Sequence, residues 1–328
     1  MMRIKILTVW NLKQFGGFFF PSPMEWDGVE FVCDPNCREY DWLVVYDEMP
    51  RKHVVEPLAC PAAHTILVTQ EPESIKIYPS CYTHQFNYVL TTHAPAVLRH
   101  PGYHRAAGAI VWLNNRSPLE NRACHEYVKT RQLSAIFSTK RHTHTLHAKR
   151  MEFIEYIEKR LPELERFGRG IRPIAEKYDA LDSYRYHIAI ENHCQAYHWT
   201  EKLADPILSL SLPFYAGDPR ITKILPPESI IPVPLEDPPS AYEIMRRAMD
   251  SHEYEKRLPA LREARRLLCE RYNLWNQILE VVAEHERSIN PLEPSHTHIY
   301  ERHYLRRNPV HLISEGLELA RARWLLGR

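Results

Sequence analysis

The stretch AIENHCQAYHWTEKLADP, residues 189–206, decides how the chain is read. It begins inside an apolar run, YRYHIAI at 184–190, whose length and composition fit a buried strand. Thr200 stands where a helix N-cap belongs, and the helix it opens runs to about Leu208. A second apolar run, SLPFYAG at 211–217, then stops on Gly217. Strand, crossover helix and strand make a parallel unit, and open sheets built from such units bind ligands beyond the carboxyl ends of their strands. Glu191 and Asn192 reach that edge, and the free N–H groups of a helix starting at Thr200 face the same crevice. Lys202 is a cation in the first helical turn, where the helix dipole disfavours it unless an anion such as a diphosphate shares the site. Glu201 beside it can accept hydrogen bonds from sugar or ribose hydroxyls. A capped surface helix with solvated charges fits the same residue types, so the residues alone leave both readings open.

The alternation continues on both sides. LSAIFSTK (133–140) reads as a strand and AKRMEFIEYIEKRL (148–161) as a helix with Phe153, Ile157 and Leu161 on one face, which completes a βαβαβ unit. Upstream, RIKILTVW, VEFVC, DWLVVYD, HTILVTQEP, YVLTT and GAIVWL are short apolar runs spaced by polar intervals, the pattern of a second Rossmann-like sheet. The polar stretch LNNRSPLENRACHEYVKTRQ (113–132) separates the two halves. The expected divisions are a first domain over 1–125, a second over 126–290 and a helical tail over 291–328. Ser240 with Glu243 has the form of a capping box opening a long helical region, which Pro259 is expected to break or kink.

A chain of 328 residues exceeds the roughly 100–200 of one ordinary domain, in keeping with two. Its 42 basic and 41 acidic residues nearly cancel, which argues against nucleic acid as a partner. Seven cysteines, an odd number without dense spacing, read as free thiols in a reducing compartment, and Cys33 and Cys37 as part of a turn. The apolar start is broken by Asn11, Lys13, glycines and prolines, so it reads as neither a signal peptide nor a span, and a cytoplasmic protein is expected. There is no Gly-rich phosphate loop, so phosphate must be held by other means. The tail ERHYLRRNPVHLISEGLELARARWLLGR (301–328) carries six arginines against three glutamates and an apolar helical spacing through Leu317, Ala320, Trp324 and Leu325. It reads either as a terminal helix packed on its own domain or as an amphipathic element making peripheral contact with a membrane, here the inner one.

The block YRYHIAIENHCQAYHWTEKLADPILSLSLPFYAGDPRITKILPPESIIPV (184–233) resembles the signature of the α-1,3/1,4-fucosyltransferases, glycosyltransferase family 10, in its bacterial form. That signature runs F-E-N, a spacer, T-E-K, a hydrophobic helix, a P-x-x-x-G strand and a P-x-S-F-I segment. IAIEN, TEKL, LPFYAGDP and PPESIIPV stand here in the same order and at similar spacing. The resemblance implies a GT-B architecture, two Rossmann-like α/β domains facing across a cleft, with an inverting, metal-independent transfer of L-fucose from a guanosine diphosphate sugar. It implies no cofactor beyond that donor and, as acceptor, an oligosaccharide or glycolipid of a surface glycan such as lipopolysaccharide or capsule. Carried over by position, Asn192, Glu201 and Lys202 bind the donor, with Arg150 and Lys202 at the phosphates. The family has Tyr where this chain has His198, so His198 is a donor-site residue at which base or sugar preference can differ. In the family a glutamate on a first-domain loop deprotonates the acceptor hydroxyl, and TQEPES (69–74) offers Glu71, with Glu73 as the alternative. A solvated turn acid is the competing reading for either.

His142, His144 and His147 in RHTHTLHAKR lack the helical pair with a carboxylate that a zinc site needs, and no Asp-x-Asp motif occurs to hold a divalent ion on a diphosphate. No metal is expected.

Overall fold

The computed structural model describes residues 1–10, 24–107, 114, 116–123, 126–137, 146–288 and 295–327. The chain forms two compact units, one of residues 1–109 with 274–328 and one of residues 110–273. The expected divisions at 125 and 290 are therefore corrected to 109/110 and 273/274, and the expected tail is part of the first unit.

The first unit is built on a sheet of β1 (Met2–Thr8), β2 (Met24–Trp26), β3 (Val29–Val32), β4 (Trp42–Tyr46), β6 (Thr65–Val68), β7 (Tyr88–Thr91) and β8 (Tyr103–Arg105), in the order β2-β3-β1-β4-β6-β7-β8. A short β5 (Val55–Pro57) lies outside it. From β3 onward the pairing is parallel throughout. Every residue of β4, β6 and β7 is buried, as strands covered on both faces require. β2 and β3 form an antiparallel hairpin through Asp27 and Gly28, both at positive φ, the backbone that a two-residue Asp-Gly loop supplies. Five of the expected strands appear as β1, β3, β4, β6 and β7, while GAIVWL lies outside the described residues. The four-residue helix α1 (Ser80–Thr83) buries Tyr82.

The second unit opens with α2 (Pro118–Arg122), whose Ser117 and Glu120 close a capping box. It then alternates β9 (Arg131–Ile136), α3 (His147–Glu158), β10 (Leu164–Phe167), β11 (Tyr184–Ile190), α4 (Glu201–Leu208), β12 (Leu212–Ala216) and β13 (Ile231–Pro232). The sheet is parallel in the order β10-β9-β11-β12-β13. That order reverses direction between β9 and β11, and at such a switch point the loops leave on opposite faces and open a crevice at the carboxyl edge.

Three helices follow: α5 (Pro238–Asp250), α6 (Glu253–Leu267) and α7 (Leu274–Arg287). The expected capping box is corrected here. Asp237 is the cap, its carboxylate accepting from Ser240 N at 3.1 Å, and two prolines fill the first helical positions, where no N–H is needed. Of the break or kink expected at Pro259, the break does not occur. Pro259 lies within α6 on its exposed side, where the carbonyl it deprives of a partner can bond water. The chain breaks instead at Ser251 and His252, the latter at φ 55°.

α7 returns the chain to the first unit, burying Trp275, Ile278, Val281 and Val282. There β14 (His298–Tyr300) pairs antiparallel with β5, and α8 (Arg302–Leu305) and α9 (Pro309–Leu325) end the described chain. Among the described residues no helix is long and apolar enough to cross a membrane.

Candidate active site

The switch point of the second sheet holds a cavity of about 290 Å³. Ile136 and Phe137 at the end of β9 line one wall and Ile190 and Asn192 at the end of β11 another, with Arg150 from α3 and Glu201 and Lys202 from α4 at its rim. Four residues expected at a donor site, Arg150, Asn192, Glu201 and Lys202, thus line one cavity, although Arg150 is 42 residues from Asn192 along the chain.

Local chemistry explains how each is held. Glu191 is buried at the end of β11 and accepts from Thr200 N at 2.8 Å and from Thr200 Oγ1 at 2.7 Å. Burial raises its pKa, against the pull of Lys202. Thr200 Oγ1 in turn accepts from Lys202 N at 3.2 Å as the N-cap of α4. Glu191 is therefore the acid that anchors the helix start. The next turn of chain is equally constrained, since a Cβ on Gly217 would lie 2.6 Å from Glu191 Cγ and 2.2 Å from the Tyr215 hydroxyl.

The first turn of α4 carries the charges. Lys202 Nζ donates to Glu201 Oε1 at 2.8 Å and to Thr200 Oγ1 at 3.3 Å, and lies 4.0 Å from Glu191. Burial pushes the Glu201 carboxyl up, but Lys202 and Lys177 outweigh it and bring its pKa to about 2. Arg150 is buried, stacks its guanidinium 4.8 Å from the Phe137 ring and donates to Asn192 Oδ1. Burial lowers its pKa, against the pull of Glu191 and Glu201. Its Nε is buried without a hydrogen-bond partner among the described residues.

The cavity also contains residues that sequence reasoning did not single out. Lys177, from a tight turn at Lys177–Ala180, bonds Asp205 of α4 at 3.0 Å. His187 on β11 is buried against Ser134 Oγ at 2.8 Å, and burial lowers its pKa to about 3. No local motif marks Lys177. Its place follows from the path of a loop, whereas His187 falls on the period-two face of β11 and could have been found there. Three cations (Arg150, Lys177, Lys202) and two carboxylates (Glu201, Asp205) line the cavity, with Glu191 buried 4.0 Å from Lys202.

His198 is not part of this lining. Tyr197, at φ 66°, donates its N–H to Asp218 at 2.9 Å and turns the chain, and His198 beside it is buried, its N–H donating to the Gln195 carbonyl at 3.3 Å.

In the first unit, Glu71 and Glu73 lie on the loop after β6. Glu71 is partly exposed, and its carbonyl accepts from His93 Nε2 at 2.9 Å. His93 is buried with a pKa lowered by burial to about 4, so it is neutral and carries its proton on Nε2. Glu73 is buried and its carboxylate accepts from Ala94 N at 2.7 Å. Burial raises its pKa, with the Ala94 N–H opposing. Glu73 is thus the acid that ties two loops together, and Glu71 the more accessible of the pair. His142 and His144 lie outside the described residues, as does the side chain of His147. Elsewhere Glu48, Glu301 and His303 lie close together, but Lys76 and Arg302 already neutralise Glu48 at 2.8 and 3.0 Å.

The sequence matches no family model, and no curated protein matches it. Solved structures do match. An α1,3-fucosyltransferase with GDP overlays on 88% of this chain and 91% of its own, at 14% identity and a TM-score of 0.50. A further α1,3-fucosyltransferase structure overlays on 79% of this chain and 80% of its own at 15% identity and a TM-score of 0.47. One with GDP-fucose covers 97% and 90% at 13% identity and a TM-score of 0.40. The strand orders of both units and the first of these overlays agree on one conclusion: the chain has the fold of an α1,3-fucosyltransferase, the GT-B class built from two Rossmann-like units.

Proposed function

We propose that this protein is an inverting glycosyltransferase that moves L-fucose from guanosine diphosphate fucose to a hydroxyl of a saccharide acceptor belonging to a surface glycan. One observation carries the reading: a cavity at the switch point of a fucosyltransferase-like fold gathers Arg150, Asn192, Glu201 and Lys202. The solved structure with the same fold contains GDP. On this reading Arg150 and Lys202 meet the diphosphate, with Lys177 adding positive field from the cavity wall. Glu201, ionised down to a pKa of about 2, accepts from ribose or sugar hydroxyls. As the bond between the anomeric carbon and the β-phosphate oxygen breaks, negative charge grows on the departing diphosphate, and preorganised cations stabilise that charge without a metal.

Glu71 takes the proton from the acceptor hydroxyl, and the oxygen's electron pair attacks the anomeric carbon from the face opposite the leaving group, so configuration inverts. Glu71 is preferred to Glu73 because Glu71 is partly exposed whereas Glu73 is buried. The same reading has the enzyme work in the cytoplasm with an oligosaccharide or glycolipid acceptor. His198, buried where the family has Tyr, leaves room for a second reading in which another nucleotide sugar is the donor.

Transfer from guanosine diphosphate fucose to a panel of saccharide acceptors, followed for wild type and Glu71→Gln, tests the assignment. The variant is expected to lose turnover by about 10²–10⁴-fold while still binding guanosine diphosphate. Undiminished turnover in Glu71→Gln would remove Glu71 as the base, and binding without turnover in the wild type would favour a non-catalytic glycan or nucleotide-sugar module.

A further inference from the structure

Three constraints meet on the backbone of Glu71, in the loop after β6. Pro72 follows it, and a proline disfavours helical backbone in the residue before it. On the amino side, the N–H groups of Gln70 and Glu71 both donate to Tyr78 Oη, at 3.2 and 3.4 Å. On the carboxyl side, the Glu71 carbonyl accepts from His93 Nε2 at 2.9 Å. Tyr78 and His93 are both buried, and their rings lie 5.5 Å apart. The two peptide groups that flank the Glu71 Cα are thus each held by a buried side chain.

Both holders are themselves fixed in direction. Tyr78 Oη donates to Asp47 Oδ1 at 2.5 Å, and Lys76 Nζ reaches the same oxygen at 2.6 Å, so the tyrosine proton is committed to Asp47 and its lone pairs are left to the loop. Asp47, at φ 67°, donates its N–H to the Val68 carbonyl at 2.8 Å and so stands against the end of β6. Burial pushes the Tyr78 hydroxyl well above its ordinary range, with Asp47 adding to the shift, and the proton stays in place. The main chain of His93 is tied by its N–H to Thr91 Oγ1 at 3.1 Å and by its carbonyl to the Tyr103 hydroxyl at 2.6 Å. Its Nδ1 is buried with no hydrogen-bond partner among the described residues, so the bond to Glu71 is the one the ring makes there.

We infer that Tyr78 and His93 are positioning residues for Glu71, a clamp on its two peptide groups that fixes the point from which its carboxylate meets the acceptor hydroxyl. The inference rests on Glu71 being the base, as proposed above. Neither residue touches a reacting atom, and each acts through the Glu71 backbone. A base must come within hydrogen-bond reach of the proton it takes, and a misplacement of about 1 Å costs roughly 10²-fold in rate. The clamp therefore governs the chemical step and leaves substrate binding alone.

Steady-state transfer by the full chain tests this, with each clamp variant made alone and together with Glu71→Gln. Tyr78→Phe, which deletes the accepting oxygen and keeps the ring, and His93→Leu each lower kcat by roughly 10- to 100-fold. KM for donor and acceptor stays within about twofold of the wild type. His93→Gln, whose side-chain amide can donate where Nε2 does, recovers most of the loss. In the Glu71→Gln background neither Tyr78→Phe nor His93→Leu has a further effect, because the group they position is gone. Damage to the fold would instead lower the residual rate by the same factor as in the wild type, and that result overturns the inference. So does a wild-type kcat in both clamp variants beside lost turnover in Glu71→Gln, which removes the clamp and keeps the base. Undiminished turnover in Glu71→Gln removes the base and the clamp with it.

Discussion

Glu191 shows what one buried carboxylate does for a site it does not line. Its two oxygens accept the N–H and the hydroxyl of Thr200, so the start of α4, and with it Glu201 and Lys202, is placed by an acid from the neighbouring strand. Glu191→Ala leaves both donors buried without acceptors, at a cost of roughly 1–3 kcal/mol each. A urea titration should show that loss, with donor affinity falling in parallel; an unchanged midpoint would mean that Thr200 is held by something else. The sequence exposed Glu191, Asn192, Glu201 and Lys202 through local signals, a strand end and a cap. Lys177 gave no such signal, because only the path of the loop before β11 brings it to Asp205 at 3.0 Å.

At the level of elements, β11, α4 and β12 were legible because every local preference agrees with the fold. The strands are apolar enough to be buried on both faces, and Thr200 caps a helix whose residues from Leu203 to Leu208 are all buried. α5 and α6 were legible as helix but not as two helices, since the break at His252 rests on a left-handed backbone that its residue type does not announce. The pairing of β5 with β14 could not be read either: three-residue strands far apart in sequence carry no periodicity of their own. For α9 the apolar spacing was visible, but its outward orientation depends on Ser80, Ala96 and Val97, all distant in the chain.

Across the whole molecule, each unit contains a buried neutral histidine at the carboxyl half of its sheet, His93 after β7 in the first and His187 on β11 in the second. Burial depresses their pKa values from 6.5 to about 4 and about 3. In the unfolded chain both take up a proton near their ordinary value, so below about pH 6.5 the unfolded state binds more protons than the folded one, and stability falls as pH drops towards 4. Melting followed from neutral pH to about 5 should show both units losing stability together, by an order of a few kcal/mol in total. A flat profile would mean that the histidines reach solvent or that proton uptake by the buried Glu73 and Glu191, whose pKa values burial raises, offsets them. The two-unit plan itself was legible from alternating strands and helices. The division was not, because the chain leaves the first unit and re-enters it at α7, and return crossings of this kind leave no mark in composition. The central claim is that the switch-point cavity of the second unit holds a guanosine diphosphate sugar, and calorimetric titration with guanosine, uridine and cytidine diphosphate sugars tests it most directly. The account predicts binding of the guanosine donors, lost in Arg150→Ala with Lys202→Ala; preference for a uridine donor, or affinity that survives the double variant, would contradict it.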